Sequence, residues 1–176
     1  MSYSLQVKNS INGDEYYTLQ KSVDMIIPYI QKKGFQSVWC PFDKEDSNFV
    51  KTFQKLGFKV FFSHIDTGQD FFDYLMPPGG AEILVSNPPF SKRDVIFEKL
   101  YNWNFPFAMI MNFNGLFDSR KRADIFRKHK IELLVPRGKM KFFHKEKGTL
   151  TQPIFQSIYV CNRLLDEQII FDETVF

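Results

Sequence analysis

The chain has 176 residues, 44% of them hydrophobic and 24% charged, with a formal net charge of +3 and a pI near 8.8. That length suits one domain, 1–176, with a full core, and the composition is ordinary for a globular protein. No window approaches the roughly 18 apolar residues of a membrane span, and the N-terminus carries no signal-peptide pattern, so a cytoplasmic, intracellular protein is expected. The mild basicity is compatible with a polyanionic partner. Phe is over-used, at 21 copies, enough to fill a core and leave rings for stacking platforms. Cys40 and Cys161 fall inside apparent strands far apart in sequence and read as buried free thiols, with no metal site expected.

Residues 1–13 are polar and expected to be poorly ordered. Residues 19–32 read as helix, because Val23, Ile26, Ile27 and Ile30 recur at three- and four-residue steps, and Gly34 closes it. Residues 36–41 form a short buried strand. Asp46 or Ser47 can cap a helix over residues 48–56, closed by Gly57. Residues 59–65 are a second strand, and a helical turn at 70–74 stops at Pro77-Pro78-Gly79-Gly80. The run 82–86 is the third strand, with a helix over 93–103 after it. Residues 105–113 are almost wholly apolar, as in a strand covered on both faces. A basic helix over 120–129 and a strand over 131–136 follow. Residues 138–150 read as a Lys-rich irregular stretch, 153–162 as the strand that closes the sheet, and the tail from Leu165 as an edge strand or a frayed end. Strands alternating with helices predict an α/β fold: a mostly parallel, seven-stranded sheet with helices on both faces.

The most informative feature is Asn87-Pro88-Pro89-Phe90, directly after the third strand. Each proline lacks an N–H and has φ fixed near about −65°, so the chain must leave the strand as a stiff extended loop. That loop holds an amide and a ring three positions apart at a C-terminal strand end, where open α/β sheets bind ligands. An amide that accepts from an amino group, beside a ring that stacks on a base, suits chemistry on an exocyclic nitrogen. Right-handed crossovers bring the other strand ends to the same edge: Pro41-Phe42-Asp43, His64-Ile65-Asp66 and Asn112-Phe113-Asn114.

On these residues the chain resembles the DNA adenine-N6 methyltransferases that use S-adenosylmethionine, above all the small phage-type and EcoRI-type enzymes. Asn87 to Phe90 match the Asp/Asn/Ser-Pro-Pro-aromatic motif of that family. Asp14-Glu15-Tyr16-Tyr17-Thr18 resembles its cofactor-bordering segment near the N-terminus. The stretch from Pro41 to Phe49 resembles its cofactor loop, and Gly68-Gln69-Asp70-Phe71-Phe72 the segment that reads the cofactor's adenine. The likeness spans about residues 14–162 and implies a Rossmann-like methyltransferase domain, phage-encoded, acting on DNA, with RNA also possible. Most methyltransferases carry a Gly-rich loop after the first strand, whereas no glycine stands between Pro41 and Leu56 here; the EcoRI-type enzymes are similar in this.

The chemistry is then expected to run as follows. If Asn87 Oδ1 and the Pro88 carbonyl accept both amino hydrogens, the N6 lone pair leaves conjugation and points at the sulfonium methyl, and no strong base is needed. The base must be flipped or already unstacked, with Phe90 stacking on it. Asp43 suits the methionine ammonium, and Ser47, Asn48 and Phe49 at a helix N-terminus suit the carboxylate; alternatively Asp43, Asp46 and Ser47 only cap that helix. Asp66, preferred over His64, is the candidate for the ribose hydroxyls. Asp70 can accept from the cofactor's amine, and Phe71 or Phe72 can pack on its adenine or be core. Tyr17 and Thr18 can border the cofactor or cap the first helix. Arg120, Arg122, Arg137, Lys139 and Lys141, with Phe142, Phe143 and His144 interleaved, can grip phosphates or form a solvated face. With no separate target-recognition domain visible, weak or short sequence preference, or recognition through a partner, is expected. A different class also fits: a non-catalytic methyltransferase-like module that binds nucleic acid or protein. A third reading moves the amine to RNA or protein.

Overall fold

The computed structural model describes residues 16–144, 149–151 and 155–176. The expectation for residues 1–13 lies outside them, as do Asp14, Glu15, Lys145 and Lys147. The elements run β1 (Tyr16–Thr18), α1 (Gln20–Lys32), β2 (Ser37–Cys40), α2 (Asn48–Lys55), β3 (Lys59–Phe62), β4 (Ile83–Ser86), α3 (Arg93–Asn102) and β5 (Phe107–Asn112). Then come α4 (Arg120–Lys128), β6 (Glu132–Arg137), β7 (Phe142–His144), β8 (Thr149–Thr151), β9 (Ser157–Asn162) and β10 (Ile169–Val175).

The main sheet has seven strands in the order β10-β6-β9-β5-β4-β2-β3. All neighbours are parallel except β9, which runs against both β5 and β6. Its central strands are buried on both faces, and the period-2 alternation of side chains divides the core in two. Val38, Cys40, Ile83, Val85, Ala108, Ile110, Tyr159 and Cys161 pack under α1 and α2 through Ile26, Ile30, Phe49 and Phe53. Trp39, Leu84, Phe107, Met109, Met111, Ile158 and Val160 pack under α3 through Ile96, Phe97 and Leu100, with Phe126 of α4 against them. Helices therefore cover both faces, as the alternation of elements predicts.

Local signals place the boundaries. Gly34 and Gly57 follow their helices at φ of +78° and +83°, the left-handed conformation that ends a helix with least strain in glycine. Ser47 caps α2 by accepting from the Val50 N–H at 3.2 Å. Helix α1 has Leu19 at its N-cap with no side-chain cap bond, so Thr18 does not cap it. Strand β3 stops at Phe62 rather than residue 65, because Ser63 turns inward: its N–H bonds Cys40 at 3.2 Å and its carbonyl takes the Asp43 N–H at 3.1 Å. Cys40 and Cys161 are buried free thiols, and burial pushes both well above the usual thiol range. No described helix is long and apolar enough to cross a membrane.

One expectation changes and one is decided. The stretch read as irregular over 138–150 contains β7 and the start of β8, which pair with β1 as a second, three-stranded antiparallel sheet, Tyr17 opposite Phe143 and Thr18 opposite Phe142. Its anchors are Met140 and Phe142, both buried in the α1–α2 side of the core. Of the two alternatives for the tail, the edge strand holds: β10 ends the sheet and pairs parallel with β6.

The turn from β9 into β10 is fixed by Glu132, which is 5% exposed. Its carboxylate accepts three successive backbone N–H groups, from Arg163, Leu164 and Leu165, at 3.1, 3.0 and 2.8 Å. Charge-assisted bonds of this kind are each worth about 1.5–3 kcal/mol, and orphaned buried donors are costly. Glu132→Ala is therefore expected to lower the unfolding free energy by about 2–4 kcal/mol. A urea midpoint unchanged from the parent would contradict that role.

Candidate active site

The sheet brings the C-terminal ends of β2, β3, β4, β5 and β6 to one edge, since all five run the same way. At the centre of that edge, Asp43 beyond β2 meets Ser86 at the end of β4, whose hydroxyl donates to Asp43 Oδ2. Ser47, the cap of α2, supplies a second hydroxyl to the same carboxylate. Among the described residues no cationic side chain pairs with it. Burial pushes Asp43 up to about 6, against the pull of the two hydroxyls. A half-buried carboxylate met only by neutral donors is chemically suited to a cationic ligand.

Next to Ser86, Asn87 is half-buried. Its Oδ1 is shut off from solvent and has no hydrogen-bond partner among the described residues. Leaving a buried acceptor unpaired costs about 1–3 kcal/mol, so such an atom marks a place where a donor is missing. Pro88 is buried, Pro89 exposed, and Phe90 half-buried at the start of a 3-10 turn, Phe90–Lys92. The Phe90 ring packs against both halves of the core and meets the Phe155 ring edge-on at 5.7 Å. On the other side, the Asn48 side chain donates to the Thr18 carbonyl at 2.8 Å. This bond sets β1, with Tyr17 and Thr18, beside the N-terminus of α2.

The remaining candidates divide. Asp66 is exposed and held by Lys44, whose hydrogen bond keeps its carboxyl below the usual range; its N–H donates to His64 Nδ1 at 3.1 Å. Asp70 opens the turn Phe71–Asp73 by accepting from the Phe72 N–H at 3.0 Å. Phe49 stands in the first turn of α2, where the expected contribution is its backbone N–H, and its ring is core; Phe71 is a correction, its ring buried and wedged between Trp39, Phe42 and Trp103 at 6.0, 4.7 and 5.5 Å. Phe42, half-buried against Phe71, is the ring that lies next to Asp43 in the chain; sequence reading passed it over because one Phe among 21 carries no signal of its own. Pro41 is buried at the strand end.

Arg122 is the clearest correction among the cations. It is buried, paired with Asp94, and donates to the Leu116 and Gly115 carbonyls, so it is structural rather than phosphate-facing. Arg120 is exposed at the start of α4. Arg137 is exposed 3.8 Å from Glu173, Lys139 is exposed and Lys141 half-buried, all at or just past the end of β6. Sequence reading also missed Arg93, which donates to the Asn112 and Asn114 carbonyls at 3.2 and 2.8 Å and ties the loop after β5 to α3.

These residues fit S-adenosylmethionine best at its amino-acid end. Asp43 is chemically matched to the ammonium and the N-terminus of α2 to the carboxylate. At the adenosine end the fit depends on Asp66 exchanging Lys44 for hydroxyls and on Phe42 or Phe72 in place of Phe71.

No family model matches the sequence, and no curated protein matches it. Among solved structures, it is similar to a modification subunit of a putative type I restriction enzyme from Vibrio vulnificus YJ016. The TM-score is 0.52 at 9% identity, over 98% of this chain and 53% of that one. The chain shares the α/β fold of that part of the subunit. It spans about half the length of that subunit. A second match is the release factor-specific protein-(glutamine-N5) methyltransferase from Alicyclobacillus acidocaldarius subsp. acidocaldarius DSM 446, at TM-score 0.42 and 12% identity, over 82% of this chain and 93% of that one.

The Asp43 environment gives a pH signature. Its folded pKa, about 6, lies above the usual value of about 3.9, so the native state binds the extra proton between those values. Its contribution to stability therefore falls as pH rises through that window, by about 3 kcal/mol in full. Asp43→Asn is expected to be more stable than the parent at pH 7 by about 1–3 kcal/mol, with the gain gone below about pH 4. Denaturant midpoints at both pH values check this, and parallel pH profiles for the two proteins would refute it.

Proposed function

We propose that the chain transfers a methyl group from S-adenosylmethionine to the exocyclic N6 amine of adenine in DNA. The observation that carries this reading is the buried, partnerless Oδ1 of Asn87, set by a Pro-Pro turn beside the Asp43 carboxylate. An amino group is the donor it lacks. With the target base out of its stack, Asn87 Oδ1 and the Pro88 carbonyl would accept the two amino hydrogens. Both bonds favour a nitrogen whose lone pair has left the ring π system, which is the nucleophilic form. Bound S-adenosylmethionine supplies an electrophilic sulfonium methyl. Phe90 would stack on the base, and the proton can leave to water after transfer, so the chain needs no strong base here. Its contribution is position and fixed dipoles in a partly dry site.

A non-catalytic, nucleic-acid- or protein-binding reading is favoured by separate observations. The β2–α2 connection holds no glycine to let a ligand approach the backbone, Asp43 already holds two hydroxyls, and Asp66 already holds Lys44. RNA or protein amines are further acceptors that the same tetrapeptide could serve.

Transfer of a labelled methyl from S-adenosylmethionine to unmethylated single-stranded DNA, duplex DNA and RNA, with product nucleosides resolved, tests the assignment. Label in N6-methyladenine is expected, reduced about 100-fold or more by Asn87→Ala. Full activity in that variant, or label in no nucleic acid, would overturn it.

A further inference from the structure

Phe113 and Phe117 stand 43% and 50% exposed on the loop after β5, and that loop is firmly held. Arg93 binds the carbonyls of Asn112 and Asn114, Arg122 those of Gly115 and Leu116, and Asp94 fixes Arg122 in turn. Asn112 Oδ1 accepts the Asn114 N–H at 2.8 Å, and Leu116 is fully buried beneath. Two buried or half-buried arginines and a buried leucine thus hold the backbone so that the two rings face outward. Rigid exposure of apolar rings has an energetic cost that a bound partner would relieve.

The rings continue a line that begins at the catalytic turn. Phe90 meets Phe155; Gln156, the next residue, accepts the Phe113 N–H at 2.7 Å; and the Phe113 ring meets Phe117 at 6.2 Å, edge-on. Cations flank both ends. Lys92 closes the turn that Phe90 opens, and Arg120 begins α4 just beyond Phe117. Neither side chain forms an ion pair among the described residues. Rings flanked by cations without ion pairs match an unpaired nucleic-acid strand, whose bases stack while its phosphates seek positive charge. An uncharged apolar partner would leave Lys92 and Arg120 without a role.

We infer that Phe113 and Phe117 form a second base-stacking subsite, which holds a nucleotide adjacent to the target base while Lys92 and Arg120 take its phosphates. The inference rests on the nucleic-acid reading above and extends it to how the strand is gripped. The subsite positions the substrate and takes no part in the methyl transfer itself.

The test pairs binding with turnover. Fluorescence anisotropy gives Kd for a labelled oligonucleotide that is methylated in the assay above, and steady-state kinetics give KM and kcat. Phe113→Ala/Phe117→Ala is expected to raise Kd and KM about tenfold with kcat little changed, and Phe117→Trp to bind like the parent. An abasic site beside the target adenine should weaken the parent by the same factor and leave the double variant no weaker. Phe117 also meets Phe126 edge-on at 5.8 Å, so the unfolding midpoint is followed alongside, and a Kd change in variants that remain folded at the assay temperature is the readout. Parent-like Kd in the double variant, or an abasic penalty that simply adds to it, overturns the subsite while methylation stands. A parent that neither binds nor methylates nucleic acid overturns the function first and the subsite with it.

Discussion

Burial on both faces is the constraint from which the rest follows. Along β2, β4, β5 and β9 nearly every position is inside, so polar side chains find no place on the strands and collect where the strands end. Right-handed crossovers put the parallel ends on one edge. Val38-Trp39-Cys40 and Ile83-Leu84-Val85 are adjacent in the sheet, and this sets Asp43 and Ser86 within a hydrogen bond of each other although 43 residues separate them in the chain. The same register places Asn87 next to that carboxylate. A hydrophobic pattern thus determines where the chemistry can be.

The polar groups at that edge and at the opposite one meet different fates, and the contrast separates architecture from function. Glu132 is saturated by backbone N–H groups, and Asp66 is held by a lysine. Asp43 has only neutral hydroxyls, and they offset only part of the burial that raises its pKa. The asparagines divide in the same way. Asn112 Oδ1 takes a backbone N–H from Asn114, whereas Asn87 Oδ1, two strand-ends away from Asp66 and one from Asn112, takes none. Glu132 and Asp66 are held by backbone or charge, whereas Asp43 and Asn87, joined through Ser86, lack a cation and a donor respectively.

Much of this was legible in the sequence because the signals are local. The helix at 20–32 follows from apolar spacing, the cap at Ser47 from its side chain, and the exit from β4 from two prolines that admit few alternatives. What the sequence hid depends on distant partners. Arg122 looks like any cation of a basic helix until Asp94 and the Gly115 and Leu116 carbonyls enclose it. Phe71 reads as a possible cofactor contact because a ring has the same identity in a core and in a pocket. The small sheet of β1, β7 and β8 escaped notice because its strands are three residues each and two lie in or next to Lys-rich sequence, where alternation is too short to register. The parallel pairing of β10 is fixed by the nest around Glu132, which no pattern within the tail announces.

The central claim is that the polar groups at the ends of β2 and β4 receive a ligand carrying an ammonium group, with Asp43 as its counter-charge. Calorimetric titration with S-adenosylhomocysteine, which keeps that ammonium and lacks the reactive methyl, tests it most directly. The account predicts one saturable site per chain, weakened about tenfold or more by Asp43→Asn. No saturable heat with the parent protein, or equal affinity in the variant, would contradict it.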